Sequence, residues 1–279
     1  MKKIAVITMA RNDEFFLNKW ITYYGGQFGE ENLYIYLDGE DQPVPARAQR
    51  ANVIHVRRIA EQVVKAEKRR LEFLSKRAAE LLNDYDLIIG TDADEFLAVD
   101  PNCGKSLAEY LSRKKITSSL SALGIDVGQN TNCEPQLTEN QLFLQQRTYA
   151  FLSPRYTKPS IIAKPLRWGS GFHRIKGHNF RIDKNMYLFH FGCVDYQMIM
   201  QRLNDKDRMA TGREKHIRKR FRTINYISKE KKIRTGDRWL KIARIFQTVF
   251  RPVYALNKPS MARWRLVVKL PERFKKINI

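Results

Sequence analysis

Apolar residues in the first hundred positions come in short unbroken blocks, and between the blocks they recur at helical spacing. Residues 4–9 (IAVITM) are one such block, rich in β-branched side chains and flanked by charge, which predicts a buried strand. Asn12 or Asp13 then caps a helix that places Phe16, Trp20, Ile21 and Tyr24 on one face and ends at Gly25-Gly26. LYIYLD (33–38) predicts a second strand, stopped by Gly39, Pro43 and Pro45, and VIHVR (53–57) a third. A long helix follows over residues 61–83. Val64, Leu71, Leu74, Ala78 and Leu81 form its apolar stripe, and lysines and arginines cover the other face. DLIIG is a fourth strand running straight into the acidic run TDADEFL.

Strand and helix thus alternate, which argues for an α/β fold with a mainly parallel sheet flanked by helices. Open sheets of this kind bind ligands outside the carboxyl ends of their strands. Arg11-Asn12-Asp13, Asp38 and Asp92-Ala93-Asp94 all fall at such ends. After Pro101 the pattern weakens to a helix over 107–113, a strand over 119–127, and short apolar runs with turns from 128 to 190. From Tyr196 the chain reads as helical, with Trp239, Ile242, Ile245, Phe246 and Val249 on one face. The expected division is therefore a catalytic domain over 1–195 and a basic, largely helical region over 196–279.

Charge sharpens that division. The chain carries +22, and residues 201–279 hold 24 Lys/Arg against 6 Asp/Glu, or +18 of it. Such a segment is either a solvated, solubilising face or the binding surface for a polyanion: lipid head groups, lipopolysaccharide or nucleic acid. Trp239, Phe246, Phe250 and Trp264, interleaved with Arg and Lys, suit an interfacial amphipathic helix, so an anionic membrane surface is favoured over nucleic acid. No run approaches the ~20 apolar residues of a spanning helix. The apolar stretch near the N-terminus is too short, and too quickly followed by Arg-Asn-Asp-Glu, for a signal peptide. Cys103, Cys133 and Cys193 are scattered and odd in number, with no CxxC pair, so neither a disulfide framework nor a zinc knuckle is indicated. The expected location is cytoplasmic, peripheral on the inner face of the plasma membrane.

The acidic run carries the candidate chemistry. Asp92 and Asp94 are two apart, so in an extended segment they point to the same side. Two carboxylates there can hold Mg²⁺ or Mn²⁺ and leave coordination positions for phosphate oxygens. A cation on a diphosphate neutralises the charge that develops as it leaves. Glu95 would point the other way. A turn that merely caps the strand is the plainer alternative.

The runs VITMARNDEFFLNKWITYY, LYIYLDGEDQ and YDLIIGTDADEFL, with KPS at 158–160, GFH at 171–173 and LFHFG at 188–192, resemble the family-2 glycosyltransferases. The likeness covers residues 4 to about 195 and is strongest to the branch with a strand-RNE/D-helix opening and a DxDEF motif. It implies a GT-A (Rossmann-like) fold, a nucleoside-diphosphate sugar donor, a divalent metal and inversion at the anomeric carbon. By motif, Arg11, Asn12 and Asp13 would line the nucleotide end, and Asp38 would contact base or ribose. Asp92 and Asp94 would handle ribose and metal-diphosphate, and His190 would add a metal or phosphate ligand. The acidic base followed by QxxRW that many relatives carry has no unambiguous match, and Asp195 is assigned as base by position only.

Other residues weigh less. Lys65, Lys68 and Arg69 could reach a diphosphate from the long helix or simply form its solvated face; Lys68 is the one carried forward as a donor contact. His173 and His178 are weaker ligand candidates, and His55 reads as structural. The expected activity is a hexosyl transfer from a UDP-sugar to a hydroxyl of a cell-surface glycan or lipid-linked acceptor. A metal-dependent nuclease explains the charge but not the residues at the strand ends. A non-catalytic binding protein would make Asp92 and Asp94 dispensable.

Overall fold

The computed structural model describes residues 1–59, 61–204, 214–250, 257–259 and 266–279, with backbone alone over 214–220. Its nucleus is a parallel sheet in which β1 (Ile4–Ala10) lies between β2 (Leu33–Asp38) and β4 (Leu87–Gly90), with β3 (Asn52–Val56) outside β2. Period-two alternation splits β1 between two layers. Ile4, Val6 and Ala10 pack with Phe16, Trp20 and Tyr24 of α1 (Glu14–Phe28). Ala5 and Ile7 pack with Leu71, Leu74 and Ala78 of α2 (Val63–Leu81) on the opposite face. The strand is apolar apart from Thr8 because both faces are covered.

Beyond β4 the sheet becomes mixed. The short β8 (Ile161–Ile162) runs antiparallel between β4 and β6 (Ser119–Gly128), and β7 (Tyr149–Leu152) follows antiparallel to β6. A second ladder leaves β6: β9 (Ile182–Cys193) pairs parallel with it, and β5 (Glu95–Val99) pairs antiparallel with β9. The architecture is thus mixed α/β, with a mainly parallel central sheet flanked by helices that include α3 (Leu107–Arg113) and α4 (Phe143–Gln146).

Two boundaries depart from expectation. Gly25-Gly26 does not end α1, which continues to Phe28 and stops at Gly29, whose φ of +88° suits a glycine. Gly25 is small because Glu30 folds back: a Cβ there would meet the Glu30 Cγ at 3.0 Å. In α2, Val64 is 76% exposed, so the buried stripe begins only at Leu71.

Among the described residues, the stretch 196–279 supplies helices α5 (Tyr196–Leu203), α6 (Glu214–Lys229) and α7 (Arg238–Val249). They do not remain apart from residues 1–195. β10 (Val267–Lys269) pairs antiparallel with β7, and Leu266, Val268, Leu270, Phe274, Ile277 and Ile279 join the same core cluster as α1. Arg273 grips Asp100 through two hydrogen bonds of 2.8 Å. The helical content expected there is present, while its last stretch is sheet and core.

Gly124 in β6 marks a close approach. A Cβ at this position would lie 2.3 Å from the Tyr156 carbonyl carbon and 2.4 Å from the Thr157 nitrogen, both backbone atoms. Gly124→Ala is therefore expected to destabilise the fold by about 3 kcal/mol, as overpacking against backbone does. Chemical denaturation would check this, and an unchanged midpoint would show that the 153–157 loop yields.

Candidate functional site

The carboxyl ends of β1, β2 and β4 open together, as the sequence pattern requires. A cleft of about 350 Å³ at the ends of β1 and β2 is lined by Ala10, Arg11, Asn12, Asp13, Leu17 and Gln42, with Pro43 and Pro45 at its rim. Arg11 ties its floor together, donating to the Asp38 carbonyl at 2.7 Å and to both Asp41 oxygens at 2.8 and 2.7 Å. Asn12 is left-handed, with φ +50°. Its N–H donates to Gln42 Oε1 at 2.7 Å and its Oδ1 accepts from Gln42 Nε2 at 2.9 Å. His55 in turn donates to the Gln42 carbonyl at 2.8 Å. This histidine is structural, as expected, and what it supports is the cleft wall. Asp13 sits at the N-cap position of α1 but makes no capping bond through its side chain. Its Oδ1 accepts instead from Arg202 of α5 at 2.8 Å.

Asp92-Ala93-Asp94 is not extended. β4 ends at Gly90 and the chain turns, with Glu95 N–H on the Asp92 carbonyl at 3.0 Å. Asp92 and Asp94 therefore diverge, which corrects the same-side expectation. Asp92 is clamped by two cations, Arg70 Nη2 of α2 on Oδ1 at 2.8 Å and Lys158 Nζ on Oδ2 at 3.0 Å. Burial works against its charge, yet Lys158 and Arg70 hold it well below the usual carboxylate range. Glu95, expected to face away, lies beneath the site. It is 1% exposed and paired with the same Lys158. Burial, only partly offset by Lys158, pushes the Glu95 carboxyl up to about 7. Glu67 completes this row, accepting from Arg70 at 3.0 Å and from the Gly171 N–H at 2.8 Å.

Asp94 turns the other way, toward β9. Its Oδ2 stands 3.5 Å from His190 Nε2 and 3.6 Å from Arg202 Nη1. The ladder registers explain the meeting: His190 is opposite Glu95 on β5 and opposite Asp126 on β6. Its Nδ1 lies 2.6 Å from Asp126 Oδ1, and Asp126 Oδ2 accepts from Thr223 of α6 at 2.8 Å. Tyr156 stacks on the imidazole at 3.8 Å. Burial opposes a charge on His190, but Asp94 and Asp126 outweigh it and hold the imidazolium up to about 9.

Two donor sets here have the chemistry of a cation site. Asp94 Oδ2 and His190 Nε2 are spaced as two ligands ~2.1 Å from one ion would be. Asp126, His190 and Cys193 form a second, buried set whose ligand atoms lie within 4.8 Å of one another. This buried Asp/His/Cys group could bind a metal. Asp92 fits less well, because a cation taking its oxygens would have to displace Arg70 or Lys158.

The remaining candidates fall elsewhere. Asp195 is 2% exposed and caps α5, accepting from the N–H groups of Gln197, Met198 and Leu137 and from Arg147 Nη2. Those donors consume the lone pairs a base would need, so the structure gives Asp195 a positioning task. Lys65 and Lys68 are on the exposed side of α2, and Arg69 bonds to the Ile59 carbonyl; Arg70 is the helix residue that reaches the acidic run. Burial and the neighbouring Lys158 push His173 down to about 3, leaving it neutral. His178 lines a separate open cleft of about 460 Å³ along α2, with Glu72, Lys76, Arg167 and Lys176.

Sequence reasoning did not single out Arg70, Asp126, Gln42 or Arg202, and it treated Lys158 only as part of KPS. One signal was available: Asp126 is a charged residue inside a strand whose other residues are apolar or small. Arg70 and Arg202 look like any helix-surface cation.

No protein-family model matches the chain, and no curated protein is similar to it in sequence. Among solved structures it is similar to the mannose-1-phosphate geranyltransferase of Thermus thermophilus, at 11% identity over 99% of this chain and 77% of that chain, with a TM-score of 0.32.

Proposed function

We propose that the chain is a metal-assisted glycosyltransferase of the hexosyltransferase type, moving a sugar from a nucleoside-diphosphate donor, a UDP-sugar first, to an acceptor hydroxyl. The observation that carries this reading is the continuity between the Asn12–Gln42 cleft and Asp94–His190, bridged by Asp13 and Arg202. A nucleoside in the cleft would extend its diphosphate along that bridge. Asp94 and His190 Nε2 would hold Mn²⁺ or Mg²⁺, with Asp126 fixing the ring through Nδ1, as carboxylates do for metal-bound histidines. The ion would supply charge neutralisation for the departing diphosphate. Asp92, already clamped, is assigned to the ribose or the sugar rather than to the ion, and Asp38 to the nucleoside end. The acceptor is proposed to be a cell-surface glycan, such as lipopolysaccharide core or capsule, or a lipid-linked precursor.

An anionic membrane surface is proposed as a partner on the pattern of α7. Leu240, Ala243 and Gln247 face inward, while Ile242, Ile245, Val249 and Phe250 are exposed beside the exposed Arg238 and Lys241. Trp239 packs partly against the core, so it is not part of that outer face. Trp264 lies outside the described residues. Among the described residues no helix is long and apolar enough to cross a membrane.

Thermal-shift titration with UDP, GDP, CMP and single-stranded DNA, each with and without Mn²⁺, tests the donor reading. Saturating UDP with Mn²⁺ is expected to raise the melting temperature by about 5 °C, the shift that ligand at ~100 Kd produces in a domain of this size. Stabilisation by DNA with Mn²⁺, and by no nucleotide, would overturn it in favour of a nuclease.

A further inference from the structure

The Arg202 side chain sits where the two halves of the site meet, and it comes from the region expected to be an appendage. α5 begins at the Asp195 cap and runs eight residues to Leu203, which brings Arg202 back over the strand ends. Its Nη2 donates to Asp13 Oδ1 at 2.8 Å, just after β1, and its Nη1 stands 3.6 Å from Asp94 Oδ2, just after β4. The guanidinium lies 4.7 Å over the Phe16 ring, and the side chain is 9% exposed. One planar cation thus joins a carboxylate that lines the cleft to the carboxylate that faces His190.

From this placement we infer that Arg202 is an exchangeable latch that holds Asp94 before substrate arrives and then transfers to the donor's diphosphate. The inference rests on the donor reading above. Asp94 and His190, if they held a divalent cation between them, would leave the guanidinium competing with it for Oδ2 and repelled by its charge. Asp13, the other partner of this guanidinium, lines the cleft, so a diphosphate bound there would lie within reach of the freed N–H groups. A guanidinium fork matches phosphate oxygens as well as it matches carboxylates, so the exchange leaves no donor unpaired. Asp13 keeps the side chain anchored during the exchange and so limits its travel. Metal and diphosphate would then favour each other, because the arginine freed from Asp94 would be available to the anion. Linkage requires that coupling to be reciprocal.

The latch predicts opposite shifts in two affinities, which a merely structural arginine would not produce. In full-length protein, titration calorimetry with Mn²⁺ alone is expected to show about tenfold tighter binding in Arg202→Met than in wild type, because the competing cation is gone. Binding of UDP in saturating Mn²⁺ is expected to be about tenfold weaker in the same variant. Arg202→Lys, which keeps charge but loses the fork, should fall between on both measures, and it serves if the methionine variant does not fold. Two affinities that move together, or neither moving, would overturn the latch. If wild type bound Mn²⁺ but neither UDP, GDP nor CMP, the donor reading would fall, and the Mn²⁺-alone comparison would still decide whether Arg202 guards Asp94.

Discussion

Asp94→Asn is expected to lower turnover by about 10³-fold and to abolish the Mn²⁺-dependent response to nucleotide while leaving the fold in place. The substitution is nearly isosteric, and Asp94 is 5% exposed, so little packing changes. What changes is charge. The Asp94 carboxylate faces His190 Nε2 at 3.5 Å and Arg202 at 3.6 Å, and an amide oxygen there is a much poorer ligand for a hard cation. The same variant carries a spectroscopic signature. His190 is held up to about 9 by Asp94 and Asp126 acting against burial. With Asp94 neutral only Asp126 remains, so the imidazole titration followed by NMR should move down toward neutrality. Full turnover in Asp94→Asn would remove the metal from the mechanism as proposed. A lost turnover with an unmoved histidine would show that the two side chains do not interact in solution.

Lys158→Met is expected to be the most destabilising single change in the site, at about 3–5 kcal/mol. Lys158 is 1% exposed and lies between Asp92 and Glu95, and its removal leaves two close carboxylates without their common cation. Arg70 still serves Asp92, but Glu95 loses its partner in a fully buried position. The loss should depend on pH, and its sign follows from Glu95. Its folded-state pKa is already raised to about 7 from 4.5, so the folded protein holds a proton that the unfolded chain releases. That contribution to stability is full below about 4.5 and fades as pH rises through 7. Without Lys158 the carboxyl rises further. The deficit of the variant against wild type should therefore be largest near pH 8 and shrink toward pH 5, and adding Glu95→Gln should recover part of it. A pH-independent deficit would place the loss in packing rather than in the charge of Glu95.

The two kinds of interaction in this molecule were not equally legible. β1, β2 and β4 are short apolar runs buried on both faces, and α1 and α2 repeat their apolar residues at helical spacing, so local pattern alone locates them. Residues at the strand ends follow from that placement. The site's electrostatics do not. Lys158 reaches Asp92 across 66 positions, His190 reaches Asp126 across 64, and Arg202 reaches Asp13 across 189. Nothing in a charged residue's neighbours tells whether it faces water or a carboxylate brought up by another strand. The same limit explains Asp92 and Asp94: period two holds within a strand, and β4 ends at Gly90, ahead of the turn at Ala93-Asp94.

The return of residues 266–279 to the sheet has a bearing on how this protein is handled. β10 shields the outer edge of β7, and the Leu270 N–H on Thr148, with Arg273 on Asp100, closes loops of more than a hundred residues. Closing loops of that length carries a large entropic cost, which the native pairing of β10 with β7 has to offset. A shortened version cut after residue 195 would keep that edge open permanently and lose the apolar cover of Phe274, Ile277 and Ile279. It would be prone to sheet-edge self-association even though every residue of the acidic site and its cleft, Arg202 and Thr223 aside, is still present.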